Sequence, residues 1–388
     1  MCITMSKFRR AFSLGLFLAA FLFLTTGASA EIIIGFNAPL TGFAAGDGKS
    51  AKIGAELALE QINAKGGING EKVSMVIYDD QAKANQAVPI AKKLLEQDKV
   101  KIAISGSYSG PTRAAAGVFQ EAKIPYISAY AIHPDITRAG NYVFRTSFMG
   151  EVQGRGGAKL VGEVMGKKRV TLINLANDFG AALAKGFKQA APQFGIEIIS
   201  EYSYKISDRQ FGPIIASVKK DNPDAIYASG YFFTAGPLVS QLRAAGVKTP
   251  VIGQEGYDSQ HFIKIAKGAA EGVVITSSLD RDSKTKETQD FIREFEKKAG
   301  FKTDMVAASV HTAFLVAADA IQRAGAMDPA KIRDAIAATK NLVVSTGVIN
   351  FNELGEVRKA IQVQVVRDGN WHHYAVIDDP VLLAPPQK

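Results

Sequence analysis

The chain has 388 residues, 47% hydrophobic and 21% charged, which suits a globular protein of about two domains. Its formal charge of +9 is dispersed in short basic clusters such as Lys92-Lys93 and Lys219-Lys220 at predicted helix ends, and long clusters with interleaved aromatics are missing, so a nucleic-acid face is not expected. Cys2 is the only cysteine, which excludes disulfide, thiol and cysteine-metal chemistry from the rest of the chain.

The first thirty residues have the pattern of an export signal. Lys7, Arg9 and Arg10 precede a nearly continuous apolar run from Ala11 to Thr26, and Ala28-Ser29-Ala30 forms a small-residue cleavage site before Glu31. The run is shorter than the ~20 residues that span a bilayer, and no charged stop-transfer flank follows. No later segment is expected to be apolar enough to span. With the leader removed, the net charge falls from +9 to +6, because the leader holds three basic residues and no acidic one. The mature chain is expected to be soluble, exported and free of disulfides.

The first mature strand, Ile32 to Phe36, leads into Thr41-Gly-Phe-Ala-Ala-Gly-Asp-Gly-Lys-Ser50, which invites comparison with a phosphate-binding loop. That motif needs glycine five positions before the Gly-Lys-Ser, where backbone N–H groups close on phosphate, and Phe43 stands there instead. Ile53, Leu57, Ala58 and Ile62 then share a helix face that stops at Gly66-Gly67. Strands follow at 73–78, 100–105, 126–128, 170–175, 196–202, 225–229, 251–253 and 273–276. Helices are expected between them at 92–97, 112–122, 180–191, 211–220 and 237–245, then at 287–298 and 306–323. Several strands are apolar without alternation, as in a parallel sheet covered on both faces. The order is βαβ throughout. Past Ala338 the pattern turns to strands, at 343–351 and 361–366, with a hairpin turn at Asp368-Gly369-Asn370.

Catalytic chemistry finds no motif. The histidines (133, 261, 311, 372 and 373) lack metalloprotease spacing, and neither a nucleophile elbow nor a dinucleotide-binding glycine pattern is present. No catalytic residue, metal site or cofactor is expected. Gly106-Ser107-Tyr108-Ser109-Gly110 is more informative. It lies between the carboxyl end of a strand and a helix, where ligands of α/β sheets bind and where N–H groups suit an anion. On its own, Ser109 reads equally well as a helix cap or as a carboxylate ligand.

Residues 46–81, with Asn63-Ala-Lys-Gly-Gly-Ile68 and Tyr78-Asp-Asp80, together with 142–148 and 246–256, resemble the periplasmic leucine/isoleucine/valine-binding protein family of ABC importers. The resemblance spans the mature chain. It implies an α/β fold of two similar doubly wound parallel-sheet lobes joined by three crossovers near Gly150, Leu279 and Glu356. Lobe 1 would hold 31–150 plus 279–356, and lobe 2 would hold 151–278 plus 357–388. It further implies a ligand cleft in which Ser109 holds a carboxylate, and Tyr130, Ala131 and Ile132 form the next loop. From the second lobe come Phe179, Tyr231 and Glu255, the last binding an α-ammonium. Glu255 also stands out by itself, since a charge between Gly253 and Gly256 after an apolar strand needs a partner if buried, and Tyr257 and Asp258 could join it. Relative to the family, Ala45 replaces an aromatic, Ile132 a threonine, and Gln81 and Tyr108 a cysteine pair. The implied function is capture of an amino acid, branched-chain or related, for a membrane permease. The rival readings are a sensor of the same fold, a binder of an aromatic or other non-amino carboxylate, and an exported hydrolase.

Overall fold

A computed structural model describes residues 31–385, so the leader lies outside the described residues. The first half runs β1 (Ile32–Ala38), α1 (Ala45–Ala64), β2 (Val73–Asp79), α2 (Ala84–Glu96), β3 (Ala103–Ser105), α3 (Ser109–Glu121), β4 (Tyr126–Ser128) and β5 (Val143–Arg145). Next come α4 (Gly150–Lys159), β6 (Arg169–Leu175), α5 (Asp178–Ala190), β7 (Glu197–Tyr204), α6 (Gly212–Asp221), β8 (Ala225–Ala228), α7 (Phe232–Ala244), β9 (Val251–Gly253), α8 (Gln260–Ala266) and β10 (Val274–Ser277). The chain ends with α9 (Lys286–Ala299), α10 (Met305–Ala324), α11 (Pro329–Ala337), the pair β11 (Leu342–Val344) and β12 (Gly347–Ile349), then β13 (Ile361–Arg367) and β14 (Asn370–Ile377).

The strands form two large sheets. The first has the order β2-β1-β3-β4-β5 and is parallel throughout. The second has the order β14-β13-β10-β9-β8-β6-β7; β6 to β10 are parallel, and β13 and β14 return antiparallel. Counted within each sheet, the parallel strands follow one order, 2-1-3-4-5, so the molecule is two doubly wound α/β lobes of the same design. Each has its switch point between its first and third strands, and ligands of such sheets collect beyond the carboxyl ends there. The interiors are aliphatic and aromatic, with Ile34, Phe36 and Phe314 under the first sheet and Leu172, Phe187 and Tyr227 in the second.

Several elements depart from the expected pattern. The stretch 343–351 is a hairpin, not one strand, turning into Gly347 at φ +105°. Helix α2 starts at Ala84 because Pro89, which interrupts the sequence pattern, is accommodated inside it. Helix α4 was not foreseen, since four of its ten residues are glycines, which lower helix propensity. Packing explains them. A Cβ at Gly154 would stand 2.2 Å from the Leu183 carbonyl oxygen, and one at Gly186 of α5 would stand 2.0 Å from that of Glu151. The two helices cross backbone to backbone. Helix α10 corrects another expectation, for it is long and apolar enough to cross a membrane, yet 83% of its apolar window is buried inside the molecule against α1. At that crossing Gly54 leaves room for the Ala307 carbonyl, 2.5 Å from where a Cβ would be.

Candidate functional site

Both switch points open on one cavity of about 370 Å³. That volume takes in all the empty space between the lining side chains, including what opens to solvent. From the first lobe it takes Asp47 in the opening turn of α1, Tyr108 and Ser109 between β3 and α3, and Tyr130 and Ala131 after β4. From the second it takes Phe179 at the start of α5, Tyr231 between β8 and α7, and Glu255, Gly256 and Asp258 after β9. Met305 and Val306 of α10 complete the wall.

Local structure aims these side chains. Asn177 caps α5 by accepting from the Gly180 N–H at 3.0 Å, which fixes the turn carrying Phe179. Thr234 Oγ1 accepts from the Tyr231 N–H at 3.1 Å and so holds the entry to α7. Gly256 is required by the loop crossing beside it, since a Cβ there would lie 2.2 Å from the Gly230 carbonyl oxygen. Behind the first-lobe loops, buried Asp80 accepts from Asn37 Nδ2 at 2.7 Å and Ser107 Oγ at 2.9 Å, tying together the ends of β1, β2 and β3. Arg145, also buried, donates to the carbonyls of Ala131 (3.1 Å) and His133 (2.7 Å) and pairs with Glu356 at 3.2 Å. It braces the β4 loop.

An aromatic stack crosses the cleft. The Tyr108 and Tyr231 rings lie parallel at 4.2 Å, Tyr231 stacks on Phe179 at 4.9 Å, and Tyr130 meets Tyr108 edge-on at 6.4 Å. The phenol of Tyr130 donates to the Gly106 carbonyl at 2.8 Å and that of Tyr108 to Asp47 Oδ2 at 2.6 Å. Burial raises the pKa of all three tyrosines far above the usual range, so they stay neutral phenols.

Ser109 is the first residue of α3 and makes no capping bond, which removes the cap reading. Its Oγ accepts the Ile132 N–H at 3.3 Å, so the hydroxyl proton remains free to donate into the cavity. Ile132 corrects an expectation. It does not line the cavity: its side chain turns toward Gly150, its N–H is held by Ser109, and its carbonyl accepts the Gly150 N–H at 2.8 Å. With both backbone groups engaged, Ile132 orients Ser109. Tyr257 is likewise turned into the core, against Phe262. The other expected residues, Ser109, Tyr130, Ala131, Phe179, Tyr231 and Glu255, all meet at the cavity.

The electrostatics of the lining are one-sided. Glu255 is 3% exposed, its Oε2 has no hydrogen-bond partner, and burial pushes its pKa up to about 8 against the pull of Lys359 and Arg145. Lys359 is buried too, pushed down to about 7 by desolvation, and its amine makes a long contact, 3.5 Å, to the Thr146 carbonyl and lies over the Phe148 ring at 5.4 Å. Asp258 is paired with Arg281 and accepts from Ser277 Oγ. Asp304, which caps α10, accepts from Ala307 N at 2.9 Å and from Ser50 Oγ, and burial lifts it to about 6. No group of side chains suited to a metal ion occurs among the described residues. Asp47, Tyr108, Met305 and Val306 were missed as lining residues. Gly46-Asp47-Gly48, an acid set among small residues at a helix start, is the signal that could have found the first; Met305 and Val306 carry no comparable mark.

Two lobes of one design, with a buried cavity walled in part by aromatic rings between their switch points, define a two-lobed solute-binding protein. The chain matches the periplasmic binding protein family model over residues 31–370 and belongs to that family, whose members bind solutes and are not enzymes. It is 29% identical over 334 residues to the leucine-, isoleucine-, valine-, threonine- and alanine-binding protein of Pseudomonas aeruginosa, covering 85% of this chain and 88% of the relative. It is 34% identical over 224 residues to the leucine-specific-binding protein of Salmonella typhimurium, spanning 58% of this chain and 60% of that one. Among solved structures, the branched-chain amino acid transporter substrate-binding protein of Streptococcus pneumoniae, in complex with isoleucine, superposes with a TM-score of 0.84 at 27% identity. That match covers 90% of this chain and 99% of its own.

Proposed function

We propose that this chain is the solute-binding component of an ABC importer, which captures an α-amino acid between its lobes and delivers it to a membrane permease. Glu255 carries the reading. It is a buried carboxyl group on the cavity wall with an oxygen that no protein donor satisfies, and a buried charge persists only when a partner meets it. An α-ammonium is that partner, while the free hydroxyl of Ser109 and the opening turn of α3 receive the carboxylate. The names of the relatives, which bind small amino acids, support the class. Residues 31–150 with 279–356, and 151–278 with 357–388, act as the two closing bodies. Residues 1–30 act as an export leader cleaved after Ala30.

Calorimetric titration with amino acids and their deaminated analogues tests this. Glu255→Gln should weaken amino-acid binding by roughly 2–5 kcal/mol, the penalty for breaking a buried charge pair, with the fold intact. If a deaminated analogue binds wild type as tightly as its parent amino acid, the ammonium reading is wrong and the ligand is a plain organic acid.

A further inference from the structure

The cavity is more acidic than an amino acid with a hydrocarbon side chain requires. Three carboxyl groups line it, those of Asp47, Glu255 and Asp258, and none of its described lining residues is basic. Asp258 is neutralised by Arg281 from behind. Glu255, on the reading above, takes the ligand's ammonium. Asp47 is left over.

Asp47 comes from the opposite lobe, at 6% exposure, and Tyr108 Oη is the only protein donor to its carboxyl group among the described residues. That phenol is placed by its stack on Tyr231 and engages Oδ2 alone, so Oδ1 takes no bond from the protein. The charges acting on Asp47 are those of Asp304 and Asp258, both of its own sign, and among the described residues no cation pairs with it. A hydrocarbon placed against such a group would leave a buried acceptor unmet, whereas a hydroxyl, amide or ammonium would satisfy it. Burial raises the Asp47 pKa to about 7, and a hydroxyl or amide can bond either protonation state.

We infer that Asp47 determines specificity by reading a hydrogen-bond donor on the ligand's side chain, so that the cavity prefers a polar amino acid to its hydrocarbon isostere. The inference rests on the amino-acid reading of Glu255 and Ser109. The test uses matched pairs of increasing reach: threonine with valine, glutamine with methionine, and tyrosine with phenylalanine, each titrated into the mature protein. In at least one pair the donor-bearing member should bind tenfold or more tightly, and Asp47→Leu should abolish or invert that ratio. If the hydrocarbon member binds as tightly in every pair, the inference falls while the amino-acid reading stands. If Asp47→Leu lowers the melting temperature and leaves every ratio unchanged, Asp47 is only structural and the inference falls. If no amino acid binds wild type, both readings fall together.

Discussion

Ser109 and Glu255 show how a side chain's meaning depends on which of its bonds the protein has already used. Ser109 Oγ accepts from Ile132 and has its proton left to give. Ser109→Ala should therefore weaken ligand binding by about 1.5–3 kcal/mol, the range for a hydrogen bond to a charged group. Its melting temperature should fall as well, since the buried Ile132 N–H loses its acceptor although no helix cap is lost. Titration and a melting curve on the same preparation separate the two effects. On the proposed amino-acid reading, Glu255 makes binding depend on pH. In the empty protein burial holds its proton up to about pH 8, while a ligand ammonium favours the ionised form, so binding expels a proton. Affinity should climb as the pH rises from about 6 to 8 and level off above that. Calorimetry in two buffers of different ionisation enthalpy would register the released proton, and a buffer-independent heat would contradict it. The same raised pKa means that Glu255 costs the empty fold stability as pH rises from 4.5 through about 8. Lys359, with a lowered pKa, acts in reverse and costs stability as pH falls from 10.5 through about 7.

At the scale of elements, the helical glycines divide into those that packing requires, as in α4 and α5, and those it does not. Gly186 touches the backbone of α4, so Gly186→Ala forces the helices apart and should destabilise the fold by about 1–3 kcal/mol. Gly117, inside α3, has open space around the position of a Cβ. Gly117→Ala should instead stabilise by about 0.5–1 kcal/mol through helix propensity. Chemical denaturation of the two variants checks both signs at once. Equal effects would mean that the α4–α5 crossing is looser than the geometry requires.

For the whole molecule, the contacts across the cleft describe a closed state. Tyr108 of one lobe lies on Tyr231 of the other, Phe43 meets Phe233 at 5.2 Å, and Arg113 of α3 pairs with Asp178 of α5 at 3.2 Å. The surface ion pair adds little, and an aromatic stack contributes about 0.5–1.5 kcal/mol beyond its area, so ligand is needed to make closure dominant. Small-angle scattering should give a larger radius of gyration without ligand than at saturation, with rigid lobes moving about the segments near Gly150, Leu279 and Glu356. An unchanged radius at saturation would remove the hinge.

By itself the sequence determined the parts whose physics is local. Apolar runs of strand length, helices ending at Gly66-Gly67, and loops with glycine and serine at strand ends follow from backbone sterics and burial along a few residues, and they were legible from Ile32 to Val366. Six of the seven expected site residues reached the cavity because they sit at strand ends, which this fold always gathers together. Tertiary structure decided the rest. Asp47 and Tyr108 are 61 residues apart and become a pair only when β1 and β3 lie side by side and bring the segments that follow them together. Ile132 differs from Ala131 by one position, but its backbone is claimed by Ser109 and Gly150, contacts that no local pattern encodes. The glycine-rich α4 is stable only against α5, because close backbone packing, not propensity, holds it helical.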